Sequence, residues 1–417
     1  MAEEIWQFLR GIKALDLTNE MGLLCGKVLA DLGIDVIKVE PPEGEPARNT
    51  GPFYQDILHP EKSLFWFAYN TNKRGITLDL EKEMGRAILK RLISEVDILI
   101  ESSPPDKMKE MGLDYEDVSD INPGLIYTSL TPFGRTGPYK DYKATDLVAM
   151  AMGGPLFLTG DPDRPPVQVG YPQAYLHGGA EAAVATLVAL YSREITGEGQ
   201  LVDVSIQQSL LTSTFQTTAT WYLNQEILPR MGMERAIGPG LHMPVVWPCK
   251  DGYMNFTVLG GVPGRKTMIP LAKWMEEEGM EDEFISQTDW GSFDFFGLTT
   301  ELVARTVEPI TRFFMHHTKA EIFERFMKEG AMAFPVTTSE DIATDPHLIE
   351  KGFWQEVEHP ELKEDISYPS PPTRINGEYP PIRMRAPLLG EHNEDIYMGI
   401  LNLSQEELIS LKAEGLI

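Results

Sequence analysis

The chain has 417 residues, 42% of them apolar and 24% charged, a composition ordinary for a soluble protein of two or three domains with a large core. Its formal charge of −27 argues against nucleic acid or an acidic membrane surface as a partner. No cleavable signal pattern opens it, and its most apolar stretch, 180–191, is interrupted by Glu181 and too short to span a bilayer. The two cysteines, Cys25 and Cys249, have neither disulfide nor metal-ligand spacing, so a cytoplasmic protein with no metal site is expected.

Residues 14–17 read as a strand, 21–32 as a helix that Thr18 would cap and Gly33 would end, and 36–39 as a second strand closed by Glu40 and Pro41-Pro42. This βαβ unit lacks the G-x-G-x-x-G turn that brings backbone against a pyrophosphate, which argues against a dinucleotide cofactor. Strands at 76–80, 98–101 and 125–130 and a helix at 85–95 continue the alternation, which predicts an α/β fold with a parallel, doubly wound sheet. An Ala-rich helix is expected at 178–193, a strand at 201–205 and a long helix at 206–223. Composition shifts around 225–239, and a smaller α+β segment is expected there, with a strand at 252–258, the loop Gly260-Gly261-Val262-Pro263-Gly264, and helices near 268–278 and 319–329. Beyond Pro335 the chain is Pro-rich and is predicted to run extended, ending in a helix at 404–414 where Ser404 and Glu407 have capping-box spacing. The residues predict a doubly wound α/β domain over 1–225, a smaller α+β domain over 226–335, and a Pro-rich linker with a terminal helix over 336–417.

Four sequence words, in order, carry a resemblance. They are Ala14-Leu15-Asp16-Leu17-Thr18 with Asp31-Leu32-Gly33-Ile34-Asp35-Val36-Ile37-Lys38-Val39-Glu40; Asn70-Thr71-Asn72-Lys73-Arg74-Gly75-Ile76-Thr77-Leu78-Asp79-Leu80; Asn122-Pro123-Gly124-Leu125-Ile126-Tyr127 with Phe133-Gly134-Arg135-Thr136-Gly137-Pro138-Tyr139; and Ala386-Pro387-Leu388-Leu389-Gly390-Glu391-His392-Asn393. From end to end the chain resembles the class III CoA-transferases, the formyl-CoA transferase and carnitine-CoA transferase family. The resemblance implies a large Rossmann-like domain built from both chain ends, with 336–417 returning to it, a small inserted domain, and two chains threaded through each other as an interlocked dimer. It also implies a CoA thioester as substrate, with no tightly bound cofactor.

In that family an Asp carboxylate attacks the acyl-CoA thioester, becomes a mixed anhydride and then an aspartyl-CoA thioester, and passes CoA to an acceptor acid. Here Tyr175 stands at that Asp position, between Pro165-Pro166-Val167 with Gly170 on one side and Thr196-Gly197-Glu198-Gly199-Gln200 on the other. A phenol has no acyl carbon and cannot carry CoA as a thioester, and its ordinary pKa near 10 keeps phenolate scarce at neutral pH. No catalytic residue is therefore expected in this chain. Glu181, Asp161 and Asp163 are the nearby carboxylates, read as a helix-face residue and two turn residues, with Glu181 as the open substitute. His177 is read as structural or capping, with a base beside Tyr175 as the alternative.

The resemblance places CoA contacts at Lys73, Arg74, Leu78 and Lys143. It also shows losses. The family's Glu-Asn-Phe-x-Pro-Gly is replaced by Glu101-Ser102-Ser103-Pro104-Pro105-Asp106, and Glu110 and Pro41 stand where cations are usual. A missing nucleophile with an eroded CoA pocket implies a non-catalytic subunit whose paralogous partner carries the Asp, moving CoA between an acyl-CoA and a small carboxylic acid. Exchange from succinyl-CoA to benzylsuccinate, as in anaerobic toluene breakdown, is one such case. The alternatives are a self-sufficient acyl-CoA racemase or lyase, whose expected His is absent from Tyr142-Lys143-Ala144-Thr145-Asp146, and a protein that only binds an acyl-CoA or acid. Trp221, Tyr222, Trp247 and Phe256 could line an aromatic cleft or belong to the core.

Overall fold

The computed structural model describes residues 6, 9–238, 240–294 and 297–417, so Pro239, at the end of the stretch where composition shifts, lies outside the described residues. The chain divides into two compact units, one formed by Met1–Leu156, Gln168–Gln225 and His347–Ile417, the other by Phe157–Val167 and Glu226–Pro346.

The first unit begins with strand β1 (Lys13–Asp16), helix α1 (Leu23–Asp31) and strand β2 (Asp35–Glu40), followed by α2 (Leu64–Asn70), β3 (Lys73–Thr77), α3 (Glu83–Ile93) and β4 (Ile98–Glu101). It continues with β5 (Ile126–Thr131), α4 (Asp146–Met152), the 23-residue α5 (Ala174–Thr196) and β6 (Gln200–Ser205). The six strands are parallel and lie in the order β3-β2-β1-β4-β5-β6. That is the Rossmann order, with its reversal between β1 and β4. Both faces are covered, so the strands are largely buried, and the polar side chains they carry, such as Lys38, Glu40 and Lys73, are buried with them. Leu15, Ile37, Ile76, Leu99 and Tyr127 pack on one side with α3, and Ala14, Val36, Ile98, Ile126 and Leu130 pack on the other with α1 and α5.

Thr18 does not cap α1. The helix starts five residues later, behind Gly22, because the Thr18 hydroxyl donates to Asp16 Oδ1 at 2.6 Å. The helix expected at 206–223 is broken into α6 (Ile206–Leu211) and α7 (Phe215–Asn224). At the break, the hydroxyls of Thr212 and Ser213 donate to the carbonyls of Ser209 and Leu210 at 2.7 and 2.9 Å, the local competition by which Ser and Thr loosen helices.

In the second unit, β7 (Glu234–Gly238) and β8 (Leu241–Pro244) form a hairpin, and β9 (Val246–Cys249) and β10 (Gly252–Phe256) belong to an antiparallel sheet in the order β11-β10-β9. The glycine-rich stretch expected as a loop is the start of α8 (Gly261–Glu277). A Cβ on Gly264 would lie 2.2 Å from the Leu259 carbonyl oxygen, so glycine is needed there for close approach of backbone to backbone. Helices α9 (Thr300–Phe314) and α10 (Lys319–Glu329) and strand β11 (Ala333–Pro335) complete a core that contains Trp247, Phe256, Met268, Phe313 and Phe326. Trp247 and Phe256 are thus fully buried core residues of this unit rather than cleft lining, with rings 5.8 Å apart edge to face.

The segment expected to run extended beyond Pro335 holds an antiparallel hairpin, β12 (Trp354–His359) with β13 (Glu364–Pro369). This hairpin already belongs to the first unit, which the chain rejoins at His347. Gly75 N–H donates to His392 Nδ1 at 3.1 Å and Thr77 N–H to Asn393 Oδ1 at 2.9 Å, which satisfies donors of the edge strand β3. Helices α11 (Asn393–Gly399) and α12 (Gln405–Ala413) pack on the sheet, and Ser404 and Glu407 make the capping box their spacing predicts.

Candidate active site

In an open sheet of this order, ligands bind beyond the carboxyl ends of the strands where the order reverses. Here the lips of that crevice are the loops after β1 and β4. They are tied together: Asn19 N–H donates to Ser102 Oγ at 2.9 Å, and the Ser102 hydroxyl donates to Asn19 Oδ1 at 3.0 Å.

Helix α5 brings Tyr175 to the β1 side of this crevice. Its approach to α1 depends on Gly179, where a Cβ would stand 2.9 Å from Leu24 Cβ and 3.3 Å from the Cys25 nitrogen. Gly179→Val is expected to cost about 1–3 kcal/mol by overpacking, read as a fall in the denaturant midpoint.

Tyr175 lies in the first turn of α5 and is 8% exposed. Its backbone N–H donates to Asp146 Oδ1 at 3.1 Å. The ring lines a narrow crevice with Glu20, Leu23, Leu24, Phe65, Tyr69 and Tyr171. Burial, followed by the charges of Glu20 and Asp146, pushes the Tyr175 phenol up to about 12. At neutral pH only about one molecule in 10^5 would be phenolate. Tyr69 and Tyr171 meet at their hydroxyls, 3.1 Å apart.

The other expected residues are dispersed. Glu181 is exposed and His177 half-buried on α5, while Asp161 is half-buried and Asp163 exposed in the second unit, with Arg164 about 4 Å from each carboxylate. Lys73 is fully buried, donating to Asp16 Oδ2, the Leu23 carbonyl and Asn70 Oδ1 at 2.9, 3.0 and 3.0 Å. Burial draws its ammonium down to about 8, with Asp16 opposing. Burial works against the Asp16 carboxylate, but Lys38, Lys73 and the Thr18 hydroxyl outweigh it and hold it at about 2. Arg74 grips Asp35 through two nitrogens, and Leu78 is in the core. Lys143 is exposed. The structure thus gathers none of these four around Tyr175 as side chains.

A second polar cluster lies at the ends of β4 and β5, where sequence spacing gave no signal. Arg135 donates to both oxygens of Asp114 at 2.6 and 2.8 Å and approaches Glu101 at 3.9 Å. Glu101 is fully buried, and burial raises its carboxyl to about 7, with Ser129, Ser103 and Arg135 opposing. A carboxyl whose pKa rises on folding contributes stability that is present below its unfolded value and lost as pH climbs through the folded one. The shift from 4.5 to about 7 corresponds to roughly 3 kcal/mol. Glu101→Gln should therefore match the unaltered chain near pH 4.5 and exceed it in thermal stability at pH 8, checked by melting curves across that range.

Among the described residues, no group of three or more His, Cys, Asp or Glu is arranged to hold a metal, and no helix is long and apolar enough to cross a membrane.

The model of CoA-transferase family III matches residues 9–393. The chain is 36% identical to the BbsE subunit of succinyl-CoA:(R)-benzylsuccinate CoA-transferase from Thauera aromatica, over 92% of each chain. It is 30% identical to succinyl-CoA–D-citramalate CoA-transferase from Chloroflexus aurantiacus, covering 95% of this chain and 94% of that one. A crystal structure of a CaiB/BaiF family protein from Brucella suis superposes with a TM-score of 0.80 at 28% identity, covering 94% of this chain and 99% of the other.

Proposed function

The chain belongs to CoA-transferase family III, and from that premise we propose that it is the nucleophile-lacking subunit of a heteromeric class III CoA-transferase. Tyr175 carries the reading. The family mechanism needs an acyl carbon at this place, and the chain offers a phenol that is held protonated by burial and by two neighbouring carboxylates. The half-reaction on the carboxylate then belongs to a paralogous chain that keeps the Asp. Likeness to a protein named as a subunit of a benzylsuccinate CoA-transferase supports both the heteromer and an exchange from succinyl-CoA to a benzylsuccinate-like acid.

The surface of the first unit supports a large protein partner. Val184, Val188, Tyr191 and Ile195 recur at helical spacing along α5 and are exposed, Ile195 by 71%. Tyr222 and Leu223 on α7 are 80% and 82% exposed. Contiguous apolar surface of this kind marks an interface. An interlocked pairing of the two chains is the arrangement proposed.

Of the groups expected near CoA, Lys143 is exposed, Arg74 is committed to Asp35, and Lys73 and Leu78 are interior. The chain by itself is therefore expected to bind CoA weakly or not at all, which calorimetry would measure. The function is tested by co-expression with a paralogue that has Asp at the position aligned with Tyr175. A stable two-chain complex that transfers CoA supports the proposal. A homodimer of this chain that transfers CoA unaided contradicts it.

A further inference from the structure

Beneath the lip formed by the loop after β4, two buried side chains stop just short of each other. Glu101 ends β4 and is fully buried, and its Oε2 accepts from Ser103 N–H at 2.6 Å. Its Oε1 is buried without a hydrogen-bond partner among the described residues, and so is Nη1 of Arg135, 3.9 Å away. That gap is about 1 Å too long for a charge-assisted hydrogen bond. The rest of Arg135 is anchored. Nη2 donates to both oxygens of Asp114, and the backbone N–H donates to both oxygens of Asp203 at 3.1 Å. In register with Glu101 on β5 is Ser129, whose Oγ is a third buried atom without a partner among the described residues. Glu101 thus has two alternative partners. A neutral carboxyl can donate its proton to the Ser129 oxygen, and a carboxylate can accept from Arg135 Nη1. The other charged and titratable groups facing it are Asp114, at the cap of the short helix Tyr115–Val118, with Asp117 behind it, and Tyr127 from β5. Asp16, at the end of the neighbouring β1, is already held by Lys73 and Thr18. Burial sets the Glu101 carboxyl at about 7, so both of its states are populated near neutrality.

We propose that Glu101 and Arg135 form a proton-operated latch beneath the lip: loss of the Glu101 proton to solvent draws Arg135 Nη1 onto Oε1, and its return releases Arg135 and turns the carboxyl hydroxyl to Ser129. Arg135 belongs to the loop after β5, and Glu101 holds Ser103 of the loop after β4. The ionised state therefore draws the two loops together, and the neutral state lets them part. The lip is tied through Ser102 to Asn19, next to Glu20, which is a wall of the Tyr175 crevice. The charge of one buried carboxyl thus reaches the edge of that crevice. The device needs neither CoA nor a partner chain, so it stands apart from the transferase reading.

The test is amide hydrogen exchange on the full chain from about pH 5.5 to about pH 8.5, each rate divided by the intrinsic rate at that pH. Protection of the Ser103 and Arg135 amides is expected to rise about tenfold with pH, the effect of one added charge-assisted hydrogen bond, with a midpoint near 7. Glu101→Gln keeps the shape, can donate to Ser129 and cannot ionise, so its protection should stay level across the range. Asp114→Asn removes a negative charge near Glu101 and loosens the hold on Arg135, and should move the midpoint below that of the unaltered chain. Level protection in the unaltered chain, the same rise in Glu101→Gln, or a response at Ser103 that leaves Arg135 unmoved would each overturn the proposal. A midpoint in folded Asp114→Asn that equals or exceeds that of the unaltered chain would overturn it too. Should Asp114→Asn fail to fold, the unaltered chain and Glu101→Gln decide between them.

Discussion

In the two-chain complex, Tyr175→Phe is expected to leave CoA transfer within about twofold, whereas Asn in place of the partner's aligned Asp should lower it by a factor on the order of 10^3 or more. The asymmetry follows from what each group can become. An aspartate can be acylated, can exchange its acyl group for CoA, and can be regenerated by the acceptor. The Tyr175 phenol is held protonated with Asp146 bonded to its own backbone N–H and Glu20 nearby. Removing its oxygen removes neither charge nor nucleophile. A loss of tenfold or more in Tyr175→Phe, with the fold intact, would give the phenol a direct part in the chemistry. Steady-state rates of the paired variants, measured with the same acyl donor, decide this.

The second large effect is on stability. Lys73→Met is expected to destabilise the chain by about 3–5 kcal/mol, because it leaves the fully buried Asp16 carboxylate with only Lys38 at 3.4 Å and the Thr18 donors. Asp16 in turn sits at the end of β1, where it fixes the turn that carries Asn19 and Glu20 to the crevice. Asp16→Asn together with Lys73→Met should cost more than Lys73→Met alone, because the fully buried Lys38 ammonium then loses the carboxylate it pairs with, but less than the sum of the two single losses. Denaturant midpoints of the single and double variants measure the coupling. Additive losses would mean that the pair does not interact energetically.

The fold was legible where periodicity and apolar runs carry it. Strands β1, β2 and β4 and helix α10 fall within a residue or two of their expected places, because each is either a short apolar run buried on both faces or an amphipathic helix with its own capping box. Boundaries were lost where a side chain chose a tertiary or local partner. Thr18 turned to Asp16, and the hydroxyls of Thr212 and Ser213 turned to carbonyls inside the expected helix.

The site was legible at a single point. Tyr175 could be found from the words that flank it, but its surroundings could not. Glu20, Phe65, Tyr69 and Tyr171 come from three separate stretches that only the sheet order brings together. The same limit applies to Lys73, which the sequence marks as a cation in a shared motif without giving its direction. It points inward to Asp16. The Glu101–Arg135–Asp114 cluster was equally hidden, since its members lie on two strand ends and a short helix cap.

Mass spectrometry of the two-chain complex, quenched during turnover with an acyl-CoA donor, tests the central claim most directly. CoA in thioester linkage should be recovered on a peptide of the partner chain and on none from this one. Recovery of CoA bonded to a side chain of this chain, whether at Glu181, Asp146 or elsewhere, would contradict the account.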